Sequence, residues 1–245
     1  FTQVARDAAY FQCNSRDVVA RFTRAYGVHP SRCFHTYNAV QNRLPAIAGA
    51  LPAGAPPGPF FFYPAQAWPH KNHFTLLQAL ALAKQRSSPV ADLVFVGSDK
   101  GNLAYLRAVA NKLGIAERVH FGGFVSRGEL KALYRRATAL VFPSLLGPNN
   151  LPPQEAATLG CPVILSDLPG HREQLGDGAR YAPALDAAAW SDAMHHVGTD
   201  AAYRTRLIEN GRRAVSGYTT DAYVARRGEL LARVAALRLL WPPDA

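Results

Sequence analysis

The chain has 245 residues, of which 49% are hydrophobic and 18% charged, a composition that is ordinary for a globular protein with a well-buried core. Its three cysteines lie far apart with no CxxC pair, which argues against a disulfide framework or a thiolate metal site and fits a reducing cytosol. The net charge of +10 is spread along the chain without a basic block, so nucleic-acid binding is disfavoured, and no apolar run approaches the roughly 20 residues that span a bilayer.

The first 43 residues contain a strand–helix–strand pattern. Strands are predicted at residues 8–13 and 33–37, with a helix between them that opens at a Ser cap, Ser15. Residues 44–58 are rich in Ala, Pro and Gly and are predicted to form a linker. Because the linker separates this unit from the rest of the chain, and the chain begins with Phe1 rather than Met, we expect residues 1–43 to be the remnant of another domain.

From residue 59 onward, short apolar runs alternate with amphipathic segments. Strands are predicted at residues 60–64, 93–96, 119–121, 139–142 and 162–166. Helices are predicted at residues 72–86, 103–113, 129–137 and from Pro152. Such alternation implies βαβ units, so the sequence predicts an α/β fold with a Rossmann-like, doubly wound parallel sheet over residues 59–218.

The chain is predicted to end in a long amphipathic helix, within a final segment of residues 219–245. The helix is expected from Thr220 to Leu240. Its apolar side chains, which need a partner surface, are Leu230, Leu231, Val234 and Leu237.

Doubly wound sheets bind ligands beyond the carboxyl ends of their strands, and the loop after residue 142 is the most informative of these places. It crosses a Gly/Asn-rich turn and enters a helix through two prolines, which suit a first turn because no N–H is needed there. The N–H groups of Asn150 and Leu151 can point at an anion, aided by the helix dipole. Glu155, predicted in the same first turn, either compensates the dipole or accepts hydroxyl groups of a ribose.

The loop after residue 64 contains a positively charged side chain, Lys71. Lys71 precedes a predicted helix, where a positive charge is unfavourable unless an anion offsets it, which favours phosphate contact. His70 and His73 have a spacing that can bind metal, but no third ligand is evident and no metal is predicted. Residues 97–101 and 122–126 are small enough to let a base approach the backbone.

Two common nucleotide-binding patterns are absent from the sequence. There is no GxGxxG after the first strand of the alternation, which disfavours a nicotinamide or flavin enzyme. There is no GxxxxGK[ST] either, so the chain is not a P-loop NTPase.

Taken in order, these loops resemble the C-terminal, donor-binding half of the GT-B-type retaining glycosyltransferases of glycosyltransferase family 4. The resemblance covers about residues 59–183, and the ordered set is more specific than any single element. The matching segments are Lys71-Asn72, residues 95–97, 119–125, 129–134, 143–144, 151–156 and 160–163, Ser166, and Pro169-Gly170 with Glu173.

The resemblance implies roles for individual residues. Glu155 matches the second glutamate of a Glu–seven residues–Glu pattern that holds the donor ribose, and Lys71 matches a lysine that contacts the diphosphate. Phe124 and its neighbours match a turn whose backbone reads the base. The expected donor-binding set is Gln66, Lys71, Gly97, Gly123, Phe124, Val125, Ser144, Gly147, Asn150, Leu151, Pro152 and Glu155, with Glu155, Lys71, Asn149 and Asn150 as the catalytic group.

Two positions depart from the family pattern. Gly147 stands where the first glutamate, near the donor sugar, is expected, and Gln66 stands where a diphosphate-binding arginine usually lies. This version of the loop resembles a bacterial subgroup that makes surface polysaccharides, so the substitution at 147 would be a feature of that subgroup. How the sugar hydroxyls are held stays open, with Asn149 and Asn150 as the candidates.

The resemblance implies transfer of a sugar from a nucleoside diphosphate sugar with retention, without metal or other cofactor, in bacterial polysaccharide or glycolipid synthesis. Expected partners are the donor, the N-terminal acceptor-binding domain and a lipid-linked or saccharide acceptor near the membrane. The location would be cytoplasmic or peripheral at the inner membrane face. The alternatives are a non-catalytic nucleotide-sugar-binding module and a hydrolase, epimerase or phosphorylase of the same fold; the base, sugar, acceptor and oligomeric state stay open.

Overall fold

In the computed structural model, the described residues are 2–40, 44, 49–86, 91–147 and 150–239. The first of these ranges forms a small unit with the order α1 (Thr2–Asp7), β1 (Phe11–Cys13), α2 (Arg16–Tyr26) and β2 (Cys33–His35). Strands β1 and β2 pair in parallel, with Phe11 opposite Cys33. Helix α2 begins as predicted, because the Ser15 side chain accepts a hydrogen bond from the Val18 N–H.

The main sheet has six parallel strands. They are β3 (Phe60–Pro64), β4 (Asp92–Val96), β5 (Val119–Phe121), β6 (Ala139–Phe142), β7 (Val163–Ser166) and β8 (Arg180–Ala182). Their order across the sheet is β5-β4-β3-β6-β7-β8. Four consecutive β3 residues, Phe60 to Tyr63, are all buried, which requires that helices cover both faces of the sheet. The α/β fold with a doubly wound parallel sheet is confirmed.

Eight helices of the described ranges accompany this sheet or follow it. They are α3 (His73–Gln85), α4 (Leu103–Lys112), α5 (Arg127–Arg136), α6 (Leu151–Leu159), α7 (Pro169–Leu175), α8 (Ala187–Thr199), α9 (Ala201–Val215) and α10 (Thr220–Leu239). The long final helix predicted from Thr220 is confirmed. None of the described helices is both long and apolar enough to cross a membrane.

The chain reverses its direction of travel across the sheet between β3 and β6. Strands β3, β4 and β5 run toward one edge, and the chain then returns to place β6 on the other side of β3. In open α/β sheets a reversal of this kind leaves a crevice at the carboxyl ends of the two strands where it occurs, here β3 and β6. This is the position at which open α/β sheets bind their ligands.

The N-terminal unit docks on the main domain through Glu173 of α7. Its two carboxylate oxygens accept hydrogen bonds from the Arg16 and Asp17 N–H groups at 2.7 and 2.9 Å, and the Tyr37 hydroxyl donates to it at 2.9 Å. A carboxylate at the first turn of α2 also complements the helix dipole. Glu173 thus caps a helix more than 150 residues away in the chain.

Helix α10 contacts the same unit from the other end of the chain. The Arg226 guanidinium lies over the Phe34 ring, 4.4 Å from its centroid, and its Nε donates to the His35 carbonyl at 3.3 Å. Of the four apolar residues predicted to need a partner surface, Leu230 and Val234 are half-buried, whereas Leu231 and Leu237 are 67% and 40% exposed. Residues 45–48 of the predicted linker and residues 240–245 of the final segment lie outside the described residues.

We expect Glu173→Gln to lower the free energy of unfolding by about 1–2 kcal/mol, because one of the two charge-assisted hydrogen bonds to α2 is lost. Urea denaturation measures this change, and Glu209→Gln on the exposed surface of α9 is the matched control. Equal stability of the two variants would mean that the N-terminal unit is held by other contacts.

Candidate functional site

Two loops meet at the crevice between β3 and β6. The Leu145 N–H donates to the His70 carbonyl at 2.9 Å, and the Asn72 side chain donates to the Pro143 carbonyl at 3.1 Å. Asn72 has a φ of 56°, a left-handed conformation that Asn tolerates better than most residues. These bonds fix the loop after β3 against the loop after β6.

Lys71 is held inside this junction. Its Nζ donates to Asn150 Oδ1 at 3.3 Å and lies 5.2 Å from the centroid of the Phe142 ring. Burial lowers the pKa of Lys71, since removal from water disfavours the charged ammonium. Among the residues that the structure describes, no carboxylate pairs with Lys71, and its charge is therefore open to an anionic ligand.

The N-terminus of α6 lies beside Lys71. Asn150 is the N-cap residue, and its side chain makes no capping hydrogen bond to the helix. Because residues 152 and 153 are prolines, Asn150 and Leu151 carry the N–H groups available at this end. A half-buried cation and free helix N–H groups together form the chemistry of a phosphate site.

Glu155 does not lie in the first turn of its helix, and that prediction was wrong. Leu151, before the two prolines, is already helical, which places Glu155 fifth in α6. The effect of the dipole fades beyond the first turn, so compensation of the dipole is not its role. Instead the carboxylate is 8% exposed, and its Oε2 accepts a hydrogen bond from the Tyr134 hydroxyl at 2.9 Å.

A cavity of about 190 Å³ lies at the carboxyl ends of β3, β4 and β5. Phe124 stands at its rim with 88% of its surface exposed. The cavity is lined by Pro64, Ala65, Gln66, Val96, Gly97, Gly123, Phe124, Val125 and Leu130. The structure thus brings together five of the predicted donor-binding residues, which come from three separate loops.

Gly97 is required where it stands. Its φ is 148°, and a Cβ atom there would lie 2.4 Å from the Ala65 carbonyl oxygen. Its N–H donates to the Gly123 carbonyl at 2.7 Å, which closes the floor of the cavity. A side chain at position 97 would push two of the cavity loops apart.

Other predicted site residues make contacts that do not by themselves indicate a ligand. The Gln66 Oε1 accepts a hydrogen bond from Trp68 Nε1 at 2.8 Å, and the Ser144 hydroxyl donates to the Leu146 carbonyl within its own loop. Asn149 lies outside the described residues. Within the described ranges, no three His, Cys, Asp or Glu side chains are grouped as metal ligands would be.

His171 was missed by the sequence reasoning. It is fully buried, and its Nε2 lies 2.9 Å from Asn150 Nδ2. Its position in the sequence could have indicated a role, because it follows the end of β7 by five residues and the carboxyl ends of the strands form the edge where ligands bind. Tyr134 was noted within a matching segment, but its bond to Glu155 was not anticipated.

Comparisons with known sequences agree with this geometry. The profile described as "Glycosyl transferases group 1" matches residues 54–214. The O-antigen chain mannosyltransferase RfbU of Salmonella typhimurium is 33% identical over 138 residues, which are 56% of this chain and 38% of that protein. The phosphatidyl-myo-inositol mannosyltransferase of Mycobacterium leprae is 32% identical over 153 residues, 61% of this chain and 40% of that protein. The matches thus span well under half of these relatives.

Solved structures share the fold along nearly the whole chain. A sucrose-phosphate synthase from Thermosynechococcus elongatus superposes with a TM-score of 0.81 at 22% identity, covering 96% of this chain and 61% of that one. Anabaena HepE in complex with UDP-glucose gives 0.79 at 18% identity, covering 95% and 65%. At sequence identities this low, the structural similarity establishes the GT-B architecture but not the activity or the substrate.

Proposed function

Because this chain belongs to the group 1 family of glycosyltransferases, we propose that it binds the nucleoside diphosphate sugar of an enzyme that transfers the sugar with retention of configuration. The observation that carries the proposal is the half-buried Lys71 ammonium beside the N-terminus of α6, at the crevice where the sheet reverses. A diphosphate supplies the negative charge that this place lacks.

The donor is placed along the crevice by three sets of contacts. The diphosphate lies against Lys71 and the N–H groups of Asn150 and Leu151, which stabilise the charge that develops on the leaving group. The ribose hydroxyls donate to Glu155, and the base enters the cavity rimmed by Phe124. Structural relatives whose descriptions include UDP or UDP-glucose support a donor of this class.

The acceptor site belongs to a second domain. In a two-domain transferase the reacting sugar lies between the two domains, and both domains are needed to exclude water. The relatives described as O-antigen chain and phosphatidyl-myo-inositol mannosyltransferases favour a saccharide or lipid-linked acceptor. We propose that the N-terminal strand–helix–strand unit belongs to that second domain.

A thermal-shift panel of UDP, GDP, ADP and their sugars tests the donor proposal. A ligand at a hundred times its Kd stabilises the folded state by about 2.7 kcal/mol, so one nucleotide series should raise the melting temperature by several degrees. No shift with any of these nucleotides at millimolar concentration would refute donor binding.

We expect nucleotide binding to survive chelation. The positive charge comes from Lys71 and helix N–H groups, so titration calorimetry in EDTA should give the same Kd as in buffer alone. Loss of binding in EDTA, with recovery on adding Mg²⁺ or Mn²⁺, would instead place a metal ion between the protein and the diphosphate.

The 245-residue chain by itself should bind the donor and show no sugar transfer above background. Catalysis needs the second domain, so a protein extended upstream to include that domain should transfer the sugar to a lipid-linked acceptor. A competing proposal is a non-catalytic binding module, favoured by Gly147 and Gln66 at positions where charged residues are usual. If the extended protein binds the donor but does not transfer the sugar, the non-catalytic binding module is the better proposal. If the 245-residue chain alone transfers the sugar, the acceptor site lies within that chain.

A further inference from the structure

Behind Lys71 and Asn150 lies a chain of buried polar groups. The Nδ1 of His171 is 2.8 Å from the Ser166 carbonyl oxygen and 3.2 Å from the Ser166 hydroxyl, which itself donates to the Ser144 carbonyl at 2.7 Å. On the other side of the ring, Nε2 faces the side-chain amide of Asn150. His171, Ser166 and Ser144 are all fully buried.

The partners of His171 determine its tautomer. A carbonyl oxygen can only accept, so the hydrogen of the neutral ring is on Nδ1 and the lone pair is on Nε2. Burial lowers the pKa of His171 and so favours the neutral ring; the hydrogen bond to the Ser166 carbonyl raises that pKa, and the charge of Lys71 lowers it. The Nε2 atom is therefore an acceptor.

An acceptor at Nε2 fixes the orientation of the Asn150 amide. The Nδ2 of Asn150 donates to His171 Nε2 and also to the Gly147 carbonyl at 3.1 Å, so two independent acceptors hold it. The Oδ1 atom must then face the other way, toward the Lys71 ammonium. Rotation of the amide by 180° would set NH₂ against NH₃⁺.

The arrangement also explains why residue 147 has no side chain. A Cβ atom at Gly147 would lie 1.9 Å from Asn150 Nδ2, and the residue has a φ of 139°. The Asn150 amide thus fills the space that a side chain at 147 would enter. A glutamate at 147 and this orientation of Asn150 exclude each other.

We propose that His171 is a positioning residue for the donor diphosphate, acting through Asn150 to hold the Lys71 ammonium at the N-terminus of α6. The inference rests on the proposed function, since it assumes that Lys71 contacts the diphosphate. In this chain an uncharged relay orients the lysine.

The test is a double-mutant cycle on nucleotide affinity. His171→Phe keeps a ring that packs edge-on against Phe142, at 6.0 Å between centroids, but removes the acceptor. We expect its Kd for the preferred nucleoside diphosphate among UDP, GDP and ADP to rise about tenfold. In the Lys71→Ala background the same change should alter Kd less than twofold, because the lysine to be positioned is gone.

Conservative rescue separates positioning from packing. His171→Gln retains an acceptor near Asn150 and should bind at least threefold more tightly than His171→Phe, although both lose stability. Equal losses from His171→Phe with and without Lys71, or no loss at all, would overturn the relay. If His171→Phe fails to fold, Asn150→Ala replaces it in the cycle with the same expectation.

A readout without nucleotide distinguishes failure of the relay from failure of the proposed function. The pKa of the Lys71 ammonium, measured by NMR, should fall further in His171→Phe, because the acceptor at Asn150 Oδ1 is no longer held in place. An unchanged pKa would refute the relay whether or not nucleotides bind. Absence of nucleotide binding by the unmodified chain would refute donor binding and with it the role of the relay.

Discussion

Lys71→Met should weaken binding of the preferred nucleoside diphosphate by about 10- to 100-fold, which corresponds to roughly 1.5–3 kcal/mol for hydrogen bonds to a charged group. The ammonium is half-buried, and in the described residues it meets an amide oxygen and a ring rather than a carboxylate. A diphosphate is therefore the partner that its charge needs.

The same substitution should leave the folded state equally stable or make it more stable. Since burial depresses the pKa of Lys71 below that of the unfolded chain, the ammonium destabilises the unliganded fold at neutral pH, where it is charged in both states. Removing it removes that cost, which is a common trade between stability and function at binding sites.

Titration calorimetry measures the loss of affinity, and urea denaturation of the unliganded chain measures stability. Lys112→Met, on the exposed end of α4, is the control for the general loss of one positive charge. Equal affinities of the two variants would show that the diphosphate lies elsewhere, and a large loss of stability in Lys71→Met would indicate a structural lysine.

Most strands of the central sheet were predictable because they are short apolar runs. The bounds of β3, β5 and β6 agree with the prediction to the residue. For β3 and β6 the reason is that strands buried on both faces contain almost no polar residues that would obscure their ends. The edge strand β8, with the sequence Arg-Tyr-Ala, has no such pattern and was not predicted. Helices α7, α8 and α9 were not predicted either.

The loops of the site were predictable, but their side-chain contacts were not. That glycine-rich turns and a lysine follow the strands is visible along the chain, and topology then brings them to one edge. The bond from Lys71 to Asn150 joins residues 79 positions apart. The amide orientation of Asn150 depends in turn on the His171 tautomer, which only a folded structure determines.

Glu155→Gln should weaken nucleotide binding by about tenfold through loss of the ribose contact. A carboxylate offers about four acceptor positions on two oxygens, so it can accept hydroxyls of a ribose in addition to the Tyr134 hydroxyl. The glutamine variant retains one oxygen for Tyr134 and should therefore fold, but it presents an NH₂ group to one of the two ribose hydroxyls.

A nucleotide without these hydroxyls identifies the contact. The unmodified chain should bind the 2′,3′-dideoxy form of its preferred nucleoside diphosphate about tenfold more weakly than the ribose form, whereas Glu155→Gln should bind the two forms almost equally. Tyr134→Phe, which removes one hydrogen-bond donor to Glu155, is the matched control and should preserve the preference for ribose. If Glu155→Gln discriminated between the two forms as strongly as the unmodified chain, the ribose would have to be held by another residue, and Glu155 would serve only the contact between α5 and α6.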